Sequence, residues 1–334
     1  MKCVKCGKET HTKTIPLCPE CSKEEVALEF AAEIHEGIDK IGKESKVRCN
    51  LCSNNCGLKD GEFGLCRLRY AENGKLKSLV NGSNAVLYAY EDRLPTNCCN
   101  SWFCEGSKLK GTNLAVFYYG CNFDCLYCQN WEHKFVESGK RITVDEIVER
   151  SMIDRIKCIC HFGGSPEPQL AFALNFSKKV IEKKDAMICW EWNGAGKRNL
   201  VMKAAELSSL SGGTVKFDLK AWNENLHYIL TGRSNRYSLK NFERIFEKYP
   251  EVLSATTLLV PFYVDKSEVE GIASFLASLD ESIPYSLLVF HPDYRLSDMP
   301  VTPKKQVFEC YEVAKKHLKR VNIGNLHLLG WIWM

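Results

Sequence analysis

Cys121-Asn122-Phe123-Asp124-Cys125-Leu126-Tyr127-Cys128 places three thiols at Cys-x3-Cys-x2-Cys spacing. Thiolates at these intervals can hold three irons of a [4Fe–4S] cluster. Such clusters usually take four cysteines, so one iron would stay open to a substrate or cofactor. A zinc knuckle completed by His133 is the plainer alternative, although zinc sites favour paired C-x2-C units. The run follows Gly120 and an apolar segment, 114–119, that reads as a buried strand. Loops at the C-terminal ends of parallel strands are where α/β folds build their active sites.

Other cysteines precede and follow this loop. Cys3, Cys6, Cys18 and Cys21 form two C-x2-C knuckles, the pattern of a four-thiolate Zn2+ ribbon. A closed tetrahedral site has no open position, so its role is structural or partner-presenting. Lys2, Lys5, Lys8 and Lys13 lie around it with few aromatic companions, which reads as a solvated face rather than a nucleic-acid surface. Cys49, Cys52, Cys56 and Cys66 supply four thiolates around a loop containing Gly57, Gly61 and Gly64. Four ligands can close a zinc site or hold a complete second Fe–S cluster, and the short, turn-rich loop leans towards zinc. Cys98, Cys99 and Cys104 are less regular. Adjacent cysteines do not easily share one metal, so either Cys98 and Cys104 are ligands with Cys99 packed, or the reverse. The bland reading is a group of part-buried reduced thiols. Cys158, Cys160, Cys189 and Cys310 sit in apolar settings and read as core.

The chain has 334 residues, eighteen of them cysteine, and a net charge of +4. Met1-Lys2-Cys3-Val4-Lys5 reads as no export signal, so the thiols point to a reducing cytoplasm and to metal, not to a disulfide framework. The charge is too mild to argue for nucleic acid or a membrane surface, and no apolar run is long enough to span a bilayer. Composition divides the chain near residue 110. Residues 1–46 read as a zinc-ribbon module plus a helix, because Val26, Phe30, Ile34, Ile38 and Ile41 recur at helical spacing. Residues 47–110 read as a Cys-rich metal-binding segment, and 111–334 as an α/β domain. There, strand-like segments at 114–119, 158–162, 187–192, 214–219, 255–262 and 285–290 alternate with helical ones. Thr143 with Glu146, and Ser267 with Glu270, read as capping boxes, and Thr302 as the cap of a last helix with Pro303 in its first turn. Six strand–helix units in series predict a parallel sheet, either a barrel or an open doubly wound one.

The Cys-x3-Cys-x2-Cys run is the signature of the radical S-adenosylmethionine (SAM) superfamily. With its flanks, Tyr119-Gly120 and Gln129-Asn130, it resembles the branch of the pyruvate formate-lyase activating enzymes. The likeness continues in order through His161-Phe162-Gly163-Gly164-Ser165-Pro166-Glu167, Trp190-Glu191-Trp192-Asn193-Gly194, Phe217-Asp218-Leu219-Lys220 with Leu230-Thr231-Gly232, Phe290-His291-Pro292, and Val321-Asn322-Ile323-Gly324-Asn325. Cys49–Cys66 resembles the front segment of the AmmeMemoRadiSam-system proteins. The resemblance implies a partial (β/α)6 TIM-type barrel. It also implies SAM bound at the open iron of a [4Fe–4S] cluster held by Cys121, Cys125 and Cys128. By carry-over, Gly163 and Gly164 approach the methionine amine, Tyr127 packs near the adenine, and Glu191, Asn193, Asp218, Lys220 and His291 line the SAM site. Ser165 departs from the acidic residue that many members carry after the glycine pair, with Glu167 two residues further on.

The reaction so implied is reductive SAM cleavage to a 5′-deoxyadenosyl radical followed by hydrogen abstraction. A glycine of a partner protein is one substrate, which would make the protein an activase fed by an electron donor of flavodoxin or ferredoxin type in an anaerobic cytoplasm. Radical modification of a peptide, RNA or small molecule is the alternative. A non-catalytic Zn/Fe–S binding protein is the alternative of another class.

Overall fold

The structure, a computed structural model, describes residues 1–95 and 98–330. After the first cysteine set comes α1 (Val26–Ile34), then the short strands β1 (Val47–Arg48) and β2 (Gly57–Leu58) and the hairpin β3 (Arg69–Glu72) and β4 (Lys75–Ser78). β5 (Asn84–Arg93) is long and runs antiparallel to β6 (Thr112–Tyr118), the strand that leads into the Cys121 loop. The sheet therefore extends across residue 110 and takes its support from the Cys-rich segment.

Next come β7 (Arg141–Thr143), α2 (Val144–Ser151), β8 (Ile156–Phe162), α3 (Leu170–Ile181), β9 (Met187–Trp192), α4 (Arg198–Ser211) and β10 (Val215–Asp218). The chain closes with α5 (Glu224–Thr231), α6 (Arg236–Phe246), β11 (Leu253–Leu259), α7 (Lys266–Leu279), β12 (Tyr285–Val289), α8 (Lys304–His317) and β13 (Val321–Gly324). One sheet of nine strands has the order β13-β12-β11-β10-β9-β8-β6-β5-β7. Its pairings from β6 through β13 are all parallel. The sheet is α/β and open, since β13 and β7 stand at its two edges. Val321–Gly324 adds a parallel strand that the periodicity did not separate from the last helix.

Burial explains the order. β6, β9 and β11 are almost wholly buried, as parallel strands covered on both faces must be. Trp190, Tyr285, Phe217 and Phe290 are among the largest side chains with no solvent contact. α1 packs on α5 and buries Ala27 and Ala31, with Val26, Phe30 and Ile34 partly buried against the core, so the helix read at residues 22–46 docks, but it is shorter and is followed by a turn of 3-10 helix at Ile38–Lys40.

Two caps differ from the sequence reading. The Thr143–Glu146 capping box forms. At α7, however, the cap is Asp265, whose carboxylate accepts from Ser267 N and Glu268 N. At α8 the capping position is Pro303, and Thr302 instead donates to Leu259 O (2.7 Å) and accepts from Phe290 N (2.8 Å). Its hydroxyl thus ties the ends of β11 and β12 together. Asp265→Ala is expected to cost about 1 kcal/mol in urea unfolding, with Ser267→Ala costing less. Equal losses would assign the cap to the serine.

Candidate functional site

The loop after β6 is held by main-chain bonds. Asp124 N donates to Thr231 O (2.9 Å) and Leu126 N to Leu230 O (3.0 Å), so the last turn of α5 carries the cysteine loop. Asp124 is buried and anchors the loop to the front of the chain. Its carboxylate lies 2.8 Å from His35 Nδ1, pairs with Lys134, and has Arg295 Nη1 at 3.8 Å. Burial pushes Asp124 up, but the His35 hydrogen bond and Lys134 outweigh it and hold the carboxyl at about 2.

Three strand-end loops then meet in one polar set. Asn193 Nδ2 donates to Asn122 Oδ1 (2.8 Å) and to Ser165 Oγ (2.9 Å), and Asn122 Nδ2 donates back to Asn193 Oδ1 (3.3 Å). Ser165 Oγ donates in turn to Glu167, whose other oxygen accepts from Gly194 N (2.7 Å). The acidic residue that the sequence pattern lacks directly after the glycines is thus supplied through the serine. Asn241, on α6, donates to Gly194 O (2.7 Å) and Gly196 O (3.0 Å), which fixes the turn that opens α4.

A cavity of about 250 Å3 lies above the sheet at this edge. Cys121, Cys125, Cys128, Tyr127, Gly163, Gly164, Glu191, Asn193, Asp218 and Lys220 all line it. His291 does not, and it is exposed. The lining also includes Lys216 and Lys134, which the sequence reading left out, and His133, Asn325 and Cys99, which it named without placing them in the SAM site. Lys216 is the consequential omission, because it pairs with Glu191 inside the protein. Its signal was present: Lys216, Asp218 and Lys220 recur at every second position of an otherwise apolar strand. A larger cavity, about 980 Å3, adjoins the smaller one and shares Cys121, Phe123 and Lys134 with it.

The charges inside are paired. Lys220 pairs with Asp218, and its Nζ stands 5.6 Å from the Tyr127 ring. Burial acts to lower both lysines, but Cys99 and Glu191 for Lys216, and Asp218 and Cys125 for Lys220, push them well above the ordinary range. Burial raises the Cys125 thiol to about 12, with Lys220 and Lys134 pulling the other way, and it raises Cys121 and Cys128 as well.

The residues fit an iron–sulfur cluster and a polar ligand. Among the described residues only Cys3, Cys6, Cys18 and Cys21 bring three or more ligand atoms within 4.8 Å of one another. Cys121, Cys125, Cys128 and His133 therefore do not close on a single ion. Tyr127 Oη, Trp192 Nε1 and both ring nitrogens of His133 are buried and meet no partner among the described residues, and all three side chains face the small cavity. Gly163 and Gly164 have φ of +59° and +63°, and a Cβ on them would lie 1.9 Å from Phe117 Cδ1 and 1.8 Å from Tyr118 O. No other residue type fits there.

The remaining cysteines sort by place. Cys6 Sγ and Cys18 Sγ are 3.6 Å apart. Cys104 packs on Cys158, Cys160, Met187 and Cys189 below the cavity, with Cys158 Sγ 3.6 Å from Cys189 Sγ and Cys160 Sγ 3.8 Å from Glu191. Cys98 accepts from Asn100 N (3.4 Å), and Cys310 is buried in α8. His161 is a core residue that stacks on Trp190 at 4.0 Å and bonds Tyr118 Oη and Ser177 Oγ.

Residues 115–276 match the model of the Radical SAM superfamily. The chain carries a radical SAM domain. It is 27% identical over 290 residues to an uncharacterized protein of Methanocaldococcus jannaschii, covering 85% of this chain and 82% of that one. It is 24% identical over 223 residues to the pyruvate formate-lyase 1-activating enzyme of Escherichia coli, covering 60% and 86%. A solved domain of the pyruvate-formate lyase-activating enzyme of Bacteroides vulgatus aligns with a TM-score of 0.43 at 18% identity, over 51% of this chain and 99% of that one. The protein is a radical SAM enzyme, and the family implies a [4Fe–4S] cluster and SAM. No helix among the described residues is long and apolar enough to cross a membrane.

Glu167 yields a pH test of the hydrogen-bonded set around Ser165 and Gly194. Burial raises its carboxyl from the ordinary 4.5 to about 7, against the hydrogen bonds from Ser165 and Gly194. The folded state then binds the proton more tightly than the unfolded state. Stability is fully present below pH 4.5 and is lost as pH rises through about 7. The loss is roughly 3 kcal/mol. Glu167→Gln is expected to flatten urea-unfolding stability across that window, and an unchanged slope would contradict the assignment.

Proposed function

We propose that Cys121, Cys125 and Cys128 hold the radical SAM cluster of this chain and that its enzyme activity is activase-like hydrogen abstraction from a protein or peptide. The observation that carries the reading is the single cavity that gathers those three thiols, the Gly163–Gly164 pair and the Glu191–Lys216 and Asp218–Lys220 pairs. When bound, the cluster and SAM supply a 5′-deoxyadenosyl radical able to abstract a hydrogen atom.

The chain's own residues position and shield. Gly163 and Gly164 bring main chain close to the methionine end of SAM. Tyr127 and Trp192 offer unpartnered donors to it, and Asn193 fixes the loop between them. Glu191 and Asp218 are already neutralised by Lys216 and Lys220, so the cavity can take a zwitterionic, cationic ligand without a large net field of its own. The buried walls keep water away from the reacting atoms.

The substrate reading rests on the second cavity. About 980 Å3 opens beside Cys121, lined by charged and apolar side chains such as Glu36, Lys40, Arg67, Phe135 and Tyr294. That volume is large enough to admit a polypeptide loop carrying a glycine beside Cys121. The activating-enzyme relative favours the same class. A flavodoxin- or ferredoxin-type protein would deliver the electron. The tight four-thiol set Cys3, Cys6, Cys18 and Cys21 would hold Zn2+ as a structural clamp.

Anaerobically purified, iron-loaded protein given SAM and a strong reductant is expected to release 5′-deoxyadenosine. Cys125→Ala is expected to abolish that product and leave zinc content unchanged. Zinc lost together with the product would mean that the ligand sets are wrongly divided.

A further inference from the structure

We propose that Cys49, Cys52, Cys56 and Cys66 hold a second iron–sulfur cluster, with Arg69 and Arg233 as its buried counter-charges. The sequence spacing alone leaned towards zinc. Of two features of the structure, the spread of the sulfurs favours a cluster instead, and two buried arginines argue that the four cysteines bind metal as thiolates.

The first is the spread of the sulfurs. A single zinc ion binds thiolates at about 2.3 Å, which places tetrahedral sulfurs about 3.8 Å apart. The front set, Cys3 to Cys21, has that compactness. Cys49 N donates to Cys56 O (2.9 Å), and Cys49 and Cys56 pack in one small apolar cluster, yet no three sulfurs of Cys49, Cys52, Cys56 and Cys66 lie within 4.8 Å of one another. The Cys121 set has the same wider spread. A cluster, whose irons occupy separate corners, asks for that wider spacing.

The second is charge. Arg69 and Arg233 are each only 4% exposed. Arg69 donates to Pro168 O, and its Nε meets no acceptor among the described residues. Arg233 donates from Nε to Asn122 O (3.2 Å) and from another nitrogen to Gly232 O, and its Nη2 likewise meets none. Arg69 stands near enough to Cys49, and Arg233 near enough to Cys56, to favour their thiolate forms. The other anion near Arg233 is Asp124, which already pairs with His35 and Lys134. Buried guanidinium groups are costly unless an anion faces them, and neutral thiols do not answer that need. Four thiolates on a metal cluster carry net negative charge and do.

The site is also built into the radical SAM loop. Asn54 Nδ2 donates to Asn122 O (2.9 Å), Ser53 N donates to Ala195 O (3.0 Å), and Cys66 O would lie 2.4 Å from a Cβ on Gly120. The segment that carries the four cysteines is thereby bonded directly to the Cys121 loop.

The test uses the full chain, loaded anaerobically with iron and sulfide. The variant Cys121→Ala/Cys125→Ala/Cys128→Ala is expected to keep about four iron and about four sulfide per chain, with the Mössbauer signature of a [4Fe–4S] cluster. Adding Cys52→Ala and Cys56→Ala is expected to remove them. A triple variant without iron, whether or not it takes up a second zinc, would overturn the proposal. Failure of the Cys121 assignment gives a different result, since wild type and triple variant would then hold equal iron. Should the cysteine variants not fold, Arg233→Gln in the wild-type background is expected to shift one of two iron–sulfur midpoint potentials downwards, with Arg233→Lys restoring it. A single potential, unmoved by either change, would also overturn the proposal.

Discussion

Everything at the reactive end of this protein hangs on a small buried exchange of amides. Asn122 belongs to the cysteine loop, Ser165 to the glycine loop and Asn193 to the turn after β9, and they hydrogen-bond to one another with almost no solvent present. Such a set is either fully satisfied or costly, so it locks three loops into one arrangement. The parallel sheet brings the loops to one edge, but its ladder ends before they begin. The amides finish the alignment that the strands start, and Glu167 and Asn241 extend it to the turn that opens α4.

The Cys-rich front of the chain is a second support for the same loop. α1 delivers His35 to Asp124, and the Cys49–Cys66 segment delivers Asn54 to Asn122 and the Cys66 carbonyl to Gly120. The first module clasps the far side. Thr12 donates to Asp298 (2.7 Å), Tyr263 Oη donates to Leu17 O (2.9 Å), and His11 stacks on Phe262 at 3.8 Å. A short region with little apolar core of its own gains order by docking on the α/β unit and, in our proposal, by binding metal. Cys121, Cys125 and Cys128 are thereby enclosed between the sheet edge and the front modules.

The pattern of residues revealed much of this and missed the rest for definable reasons. The strand series, the Thr143 cap and the cavity lining from Cys121 to Lys220 were legible because period, capping chemistry and ordered motifs are local properties. Lys216 was passed over because a lysine in a strand reads as surface until its partner across the sheet, Glu191, is known. Thr302 and Ser267 were misread as caps because a hydroxyl near a helix start has several acceptors in reach, and tertiary neighbours choose among them. His291 followed the ordered motifs but lies outside the cavity. The gathering of Cys104, Cys158, Cys160 and Cys189 beneath the cavity depends on strand order, which spacing along the chain does not encode.

The central claim is that the Asn122–Ser165–Asn193 set holds the cysteine loop and the cavity above it, in our proposal the SAM site, in register. The direct measurement is electron paramagnetic resonance of the reduced, iron-loaded protein titrated with SAM. Wild type should show a cluster signal that changes as SAM binds. Asn193→Ala should keep the SAM-free signal and need at least about tenfold more SAM for the change, because the four hydrogen bonds of its side chain are lost and their buried partners are left unpaired. A variant that responds to SAM at the wild-type concentration, with the wild-type spectrum, would contradict the account.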